Sequence, residues 1–176
     1  MEQTMKTAAI NFGVYLGIIT SVITITIYGV NLDLFINTWL GIILFFIVLA
    51  FGVLSSINSR NLSGGFISFK QAFTYYFITI AVGTLISSIV GIAIFTYIDP
   101  EAATYLNEQV LIMTKEIMER IGLNQEAVTA AIEEASKNDN FSLGAQTQAF
   151  IIRLVFYAVI GLIVGLIVKK TEAKDA

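Results

Sequence analysis

Apolar residues fall into four long blocks along this chain, separated by short polar breaks and one long mixed segment. The blocks cover about residues 8–30, 39–57, 72–97 and 149–168. Each is close to the roughly 20 residues that a helix needs to cross about 30 Å of hydrocarbon. The first three carry no charge, and the fourth carries one, Arg153. Inside hydrocarbon every backbone N–H and C=O must be paired within its own segment, so the blocks predict helices. That constraint outweighs the strand preference of the β-branched run from Val22 to Ile27. The first block exceeds the about 7–15 apolar residues of a signal-peptide core, and no small-residue cleavage site follows it, so it is expected to be retained.

The mixed segment between the third and fourth blocks has its own period. Leu106, Val110, Met113, Ile117 and Ile121 recur at helical spacing. Gly122 fits the left-handed residue that ends a helix. Asn124 fits an N-cap, with Glu126 well placed against the helix dipole in the next turn. Ala127, Val128, Ala131, Ile132 and Ala135 form a second stripe. Pro100 suits a first helical turn. A helical hairpin over about residues 100–137 is expected, with Lys137 to Ser142 as a polar exit. The expected fold class is all-α: a four-transmembrane-helix bundle with an external amphipathic helical hairpin between the third and fourth spans, one membrane domain over residues 1–176.

Composition supports this and removes several chemistries. Apolar residues make up 56% and charged residues 13%, against about 45–50% and about 25% in soluble domains. So few charges hardly cover a water-facing surface. The chain has no Cys and no His, which excludes disulfides, thiolate chemistry, imidazole bases and Cys/His metal sites. The acidic hairpin lacks the spacing of a calcium loop. No basic run is present to neutralise a row of phosphates, so nucleic acid is not an expected partner. The expectation is a non-enzyme without cofactor.

Charge is distributed unevenly across the breaks. Lys6, Arg60, Lys70, Lys169, Lys170 and Lys174 fall in regions separated by even numbers of crossings. The other side holds Asp33 and the segment from Asp99 to Gln146, which has nine acids against three bases. The positive-inside rule then puts both termini in the cytoplasm and the hairpin outside. Trp39 and Tyr97 suit the interfacial aromatic belt.

Small residues recur at helix-packing spacing: Gly13 and Gly17, Gly52 and Ser56, Gly83, Ser87 and Gly91, Gly161 and Gly165. Such ridges let helices approach closely, either within one bundle or between copies. Thr20, Ser21, Thr24, Thr26, Thr84, Ser87 and Ser88 either bond to their own helices or line a polar path. Arg153, an intramembrane charge close to the start of its block, is expected to be a structural anchor that snorkels outward or one half of an ion pair, with a functional role as the alternative. Asp99 and Glu101, at similar depth, are candidates to form an ion pair with it. In the break after the second block, Gly64-Gly65 permits a sharp turn. Phe66, Ile67, Phe69 and Phe73 are too apolar for a free loop, and Ser68 can cap a helix entering the third span. Arg60 and Lys70 are expected at headgroup level.

The stretch Gly64-Gly65-Phe66-Ile67-Ser68-Phe69-Lys70-Gln71-Ala72-Phe73 resembles the signature of a bacterial membrane family, domain of unknown function 4199. That family's pattern includes four spans and a helical insert before the last. Met118-Glu119-Arg120-Ile121-Gly122 with Gln125-Glu126-Ala127-Val128 is similar to the insert, and Lys169-Lys170 to its basic tail. The resemblance implies a multi-pass protein of the bacterial inner membrane and carries over no catalytic residue. The expected function is a scaffold or accessory protein acting through its hairpin on a membrane-protein partner. The alternative is an oligomeric pore or transporter subunit for a small solute, built from copies of this chain.

Overall fold

The computed structural model describes residues 2–171; Lys174 lies outside them. Four long helices make the bundle: α1 (Glu2–Val30), α2 (Thr38–Leu62), α3 (Phe69–Ile92) and α6 (Leu143–Val168). Two more, α4 (Pro100–Arg120) and α5 (Gln125–Ser136), form the hairpin. A 3-10 turn, Leu32–Ile36, links α1 to α2, and α3 runs on into a π-helical turn, Ala93–Ile98. The four long helices are long and apolar enough to cross a membrane. Each extends beyond its apolar block because polar residues propagate and cap it. Lys6 pairs with Glu2 one turn away at 3.2 Å. Asn37 accepts from the Trp39 and Leu40 amides at the start of α2. Ser68 and Gln71 form a reciprocal capping box at the start of α3.

The outward faces remain apolar. Ile18, Val22 and Ile25 on α1, Ile43 and Phe46 on α2, and Ile152, Val155, Phe156, Val159 and Ile163 on α6 are all exposed. In water so large an apolar surface would drive aggregation, and in lipid it is the matching solvent contact. This is a multi-pass membrane protein.

Helix α3 is the hub, in contact with α1, α2 and α6. The contacts depend on missing side chains. A methyl group built on Gly13 would lie 2.7 Å from Val82 Cβ and 2.9 Å from the Thr79 carbonyl oxygen, and one on Gly83 would lie 2.6 Å from Leu16. Gly17 meets Ile86 in the same way. On the other side of α3, the Tyr76 ring is held between Gly52 of α2 and Gly161 of α6, and Gly165 meets Phe69. Phe69, Phe73 and Phe77 stack one turn apart along α3. Lipid offers no hydrophobic drive between helices, so such close contact and buried hydrogen bonds hold the bundle. The Thr79 hydroxyl donates to the Ala9 carbonyl of α1 at 2.9 Å and stands 2.7 Å from the Ser55 hydroxyl of α2. The Ser56 hydroxyl donates to the Ala72 carbonyl at 2.9 Å. The contacts of α2 and α6 with α3 lie in the half of the bundle nearer the α2–α3 loop, and those of α1 with α3 run on to mid-bundle.

That loop is latched to the end of α6. Gly64 and Gly65 take φ of 79° and 91°, in the left-handed region that glycine enters at low cost. The Ser63 hydroxyl bonds to the Phe66 carbonyl, closing the turn. Ile67 and Lys170 then exchange two backbone hydrogen bonds, at 2.8 and 2.9 Å. The Lys170 ammonium sits 5.6 Å from the Phe66 ring centroid, within cation–π range.

Gly13→Ala is expected to destabilise the bundle by about 1–3 kcal/mol, as overpacking does where neither neighbour can move aside. Gly144→Ala, whose added methyl meets nothing within 4 Å, is the control and is expected to be neutral or slightly stabilising. Thermal unfolding in a mild detergent checks both, and equal melting shifts would refute the packing account.

Candidate functional site

Towards the hairpin end the spans leave open space between them. The α2 residues that pack on α3 (Gly52, Ser55 and Ser56) all lie in its second half, while Gly41, Ile42 and Ile43 in its first half are exposed. A cavity of about 310 Å³ is bounded by all four spans. This is at the lower end of the roughly 300–1,000 Å³ of small-molecule sites. Leu16, Leu44, Phe45 and Val48 form an apolar wall; Thr24, Ser87, Arg153 and Tyr157 supply polar groups. A second cavity of about 250 Å³ shares Thr24, Phe35, Ser87 and Arg153 with the first, and adds Ser88, Asn140 and Gln146.

The small-residue ridge on α3 therefore divides. Gly83 packs against Leu16 where both border the larger cavity, whereas Ser87 lines both cavities and a methyl on Gly91 would come no closer than 3.9 Å, to Gln146 Oε1. The threonine hydroxyls do not project free donors. Thr20 donates to the Leu16 carbonyl at 2.8 Å, Thr24 to Thr20 at 2.9 Å, and Thr84 to Ile80 at 2.6 Å. Back-bonding of this kind leaves only their lone pairs facing the cavity.

The expected ion pair of Arg153 with Asp99 or Glu101 is not formed. The ion pairs among the described residues are Lys6–Glu2, Lys115–Glu119 and Lys137–Glu134. Asp99 is held elsewhere by nearer partners. Its carboxylate caps α4 by accepting from the Ala102 amide at 2.9 Å and accepts from the Tyr28 hydroxyl, also at 2.9 Å. Glu101 is exposed in the first turn of α4. Arg153 is left lining both cavities, with no carboxylate of the described residues within 4 Å.

Asp99 is also the root of the hairpin. The π turn before it shifts the helix register, shown by the Asp99 amide donating to the Ile94 carbonyl at 2.8 Å. This buries Ile94 and Phe95 against Ala102, Ala103 and Leu106 of α4. Phe95 meets Tyr28, Phe35 and Phe141 at ring separations of 6.4, 5.2 and 5.1 Å. Two more bonds brace the root: Tyr105 donates to Asp33 at 2.5 Å and the Asn107 amide to Asp139 at 2.8 Å. Beyond it the hairpin closes as its pattern requires, with Gly122 at φ 83° and Asn124 capping α5. Periodicity alone did not reveal Gln146, which donates to the Phe141 carbonyl at 2.6 Å and to the Thr96 hydroxyl at 3.1 Å. Its only sequence signal is an amide at the polar start of an apolar helix.

The backbone hydrogen bond from Ala102 and the Tyr28 hydroxyl hold the Asp99 carboxyl below the usual aspartate value. A depressed folded-state pKa stabilises the protein above the unfolded value of about 3.9 and loses that contribution as pH falls through the folded value. Asp99→Ala is thus expected to lower the melting temperature at pH 7, with the deficit shrinking as pH drops below about 4. Melting curves across pH 3–7 test this, and a deficit that does not change with pH would contradict it.

No curated protein and no solved structure matches the chain. A family model described as "Protein of unknown function (DUF4199)" matches residues 11–170. The match runs from the first span to the bridge that closes the α2–α3 latch, and on it the chain belongs to this family.

Proposed function

We propose that this is a non-enzymatic accessory protein of the bacterial inner membrane that holds a partner through its hairpin, with both termini cytoplasmic and the hairpin external. The observation that carries the reading is the contrast between the hairpin's root and its far end. Side-chain bonds and a buried aromatic cluster fix the root to the bundle. The far end keeps Ile112, Ile117, Ile121 and Leu123 exposed among the carboxylates of Glu108, Glu116, Glu119 and Glu126. Uncovered apolar side chains on a rigid, charged element suit a protein interface. A partner that fits them has an apolar patch rimmed by Lys or Arg, on the external part of another membrane protein. The orientation rests on the excess of Lys and Arg at the α2–α3 loop end and of acids at the hairpin end.

A second reading, an oligomeric pore or transporter subunit, draws on the cavity among the four spans. In a single copy the stack of Gly52, Tyr76 and Gly161 fills the other half of the bundle, so a path would have to run between copies.

Native mass measurement of gently extracted protein separates the two. The accessory reading expects a stoichiometric second protein that is lost from Ile117→Asp and Ile121→Asp variants. A pure homo-oligomer would overturn it in favour of the pore. Asn138→Cys, in a chain without cysteine, is expected to react with an impermeant thiol reagent added to intact cells. Reaction only after lysis would reverse the orientation.

A further inference from the structure

Arg153 is the single charge within the four apolar blocks. Such a charge costs about 2.5–3.5 kcal/mol at mid-membrane on insertion scales and is normally paired or hydrated. Among the described residues no carboxylate pairs with it, and two cavities share it as a lining residue. A planar guanidinium binds carboxylate and phosphate through paired, charge-assisted hydrogen bonds, which strengthen where water is scarce. The surroundings are divided. On one side of Arg153 the larger cavity is walled by Leu16, Leu44, Phe45 and Val48. On the other lie Ser88, Asn140 and Gln146.

We propose that these joined cavities bind an amphipathic anion, its carboxylate or phosphate head on Arg153 and its hydrocarbon chain in the larger cavity. A cation is repelled by Arg153. A neutral lipid leaves the guanidinium unpaired, and a small inorganic anion leaves the apolar cavity unfilled. The site is distinct from the exposed far end of the hairpin, since its walls are the spans, Phe35 and the hairpin exit at Asn140 and Phe141.

The test uses the full chain in neutral detergent, with bound species counted by native mass. The probes are dodecanoate and dodecyl phosphate, against dodecanol and inorganic phosphate. One molecule of either amphipathic anion per chain is expected, with binding of dodecanol and inorganic phosphate weaker by about tenfold or more. Arg153→Gln should weaken dodecanoate by about tenfold or more, and Arg153→Lys by less, since lysine keeps the charge but loses the fork. Gly41→Leu fills the larger cavity from a wall where an added carbon meets nothing within 4 Å. It should weaken the amphipathic anions with Arg153 intact, and it carries the test if Arg153→Gln does not fold. Undiminished binding in Gly41→Leu, or in a folded Arg153→Gln, overturns the proposal. So does inorganic phosphate or dodecanol binding as tightly as dodecyl phosphate. The mass of any anion co-purified with the wild type tells a membrane phospholipid from a free fatty acid, and either source fits the site.

Discussion

Tyr76 of α3, fixed between Gly52 of α2 and Gly161 of α6, sets the shape of the whole bundle. Helices in lipid gain nothing by hiding oily side chains from one another. They associate where backbones come close enough for continuous van der Waals contact and for side-chain hydroxyls to reach a neighbour's carbonyl. Both conditions are met at this level, where Ser55, Ser56 and Thr79 tie α1, α2 and α3 together. Nearer the hairpin α2 meets α6 through the rings of Phe45, Phe156 and Tyr157, beside the larger cavity.

The open half follows from that geometry, and it places the one costly group of the spans. An arginine in the packed half would have faced hydrocarbon or buried carbonyls. At its actual position it faces two cavities with polar side chains near it. The hairpin closes this end by a different device, an aromatic cluster around Phe95 made possible by the π turn, with Asp99 capping α4 and gripping Tyr28. The protein thus has two cores, with cavities bordered by Arg153 between them.

Much of the fold was legible in the sequence because its signals are local. Apolar run length marked the spans, Ser68 and Asn124 marked helix starts, and Gly122 marked the end of α4. The glycine–aromatic loop was legible as a turn, but its bond to Lys170 joins residues about a hundred positions apart, and no local pattern encodes that. The Arg153–Asp99 pairing failed for a related reason. Similar depth in the membrane suggested contact, yet the Ala102 amide lies three residues from Asp99 and takes the carboxylate first. The π turn was also hidden, since its six residues read as uninterrupted apolar helix. The cavity was visible only as unassigned threonines and serines, because whether a small residue packs or opens space depends on what faces it.

The division into a packed half and an open half is most directly tested by placing one thiol in each. The chain has no cysteine, so Ser87→Cys on the cavity wall and Ser56→Cys in the packed half can be compared in folded protein in mild detergent. A small water-soluble thiol reagent should modify Ser87→Cys readily and Ser56→Cys only after unfolding. Equal reaction at both positions, or protection of both, would contradict the account.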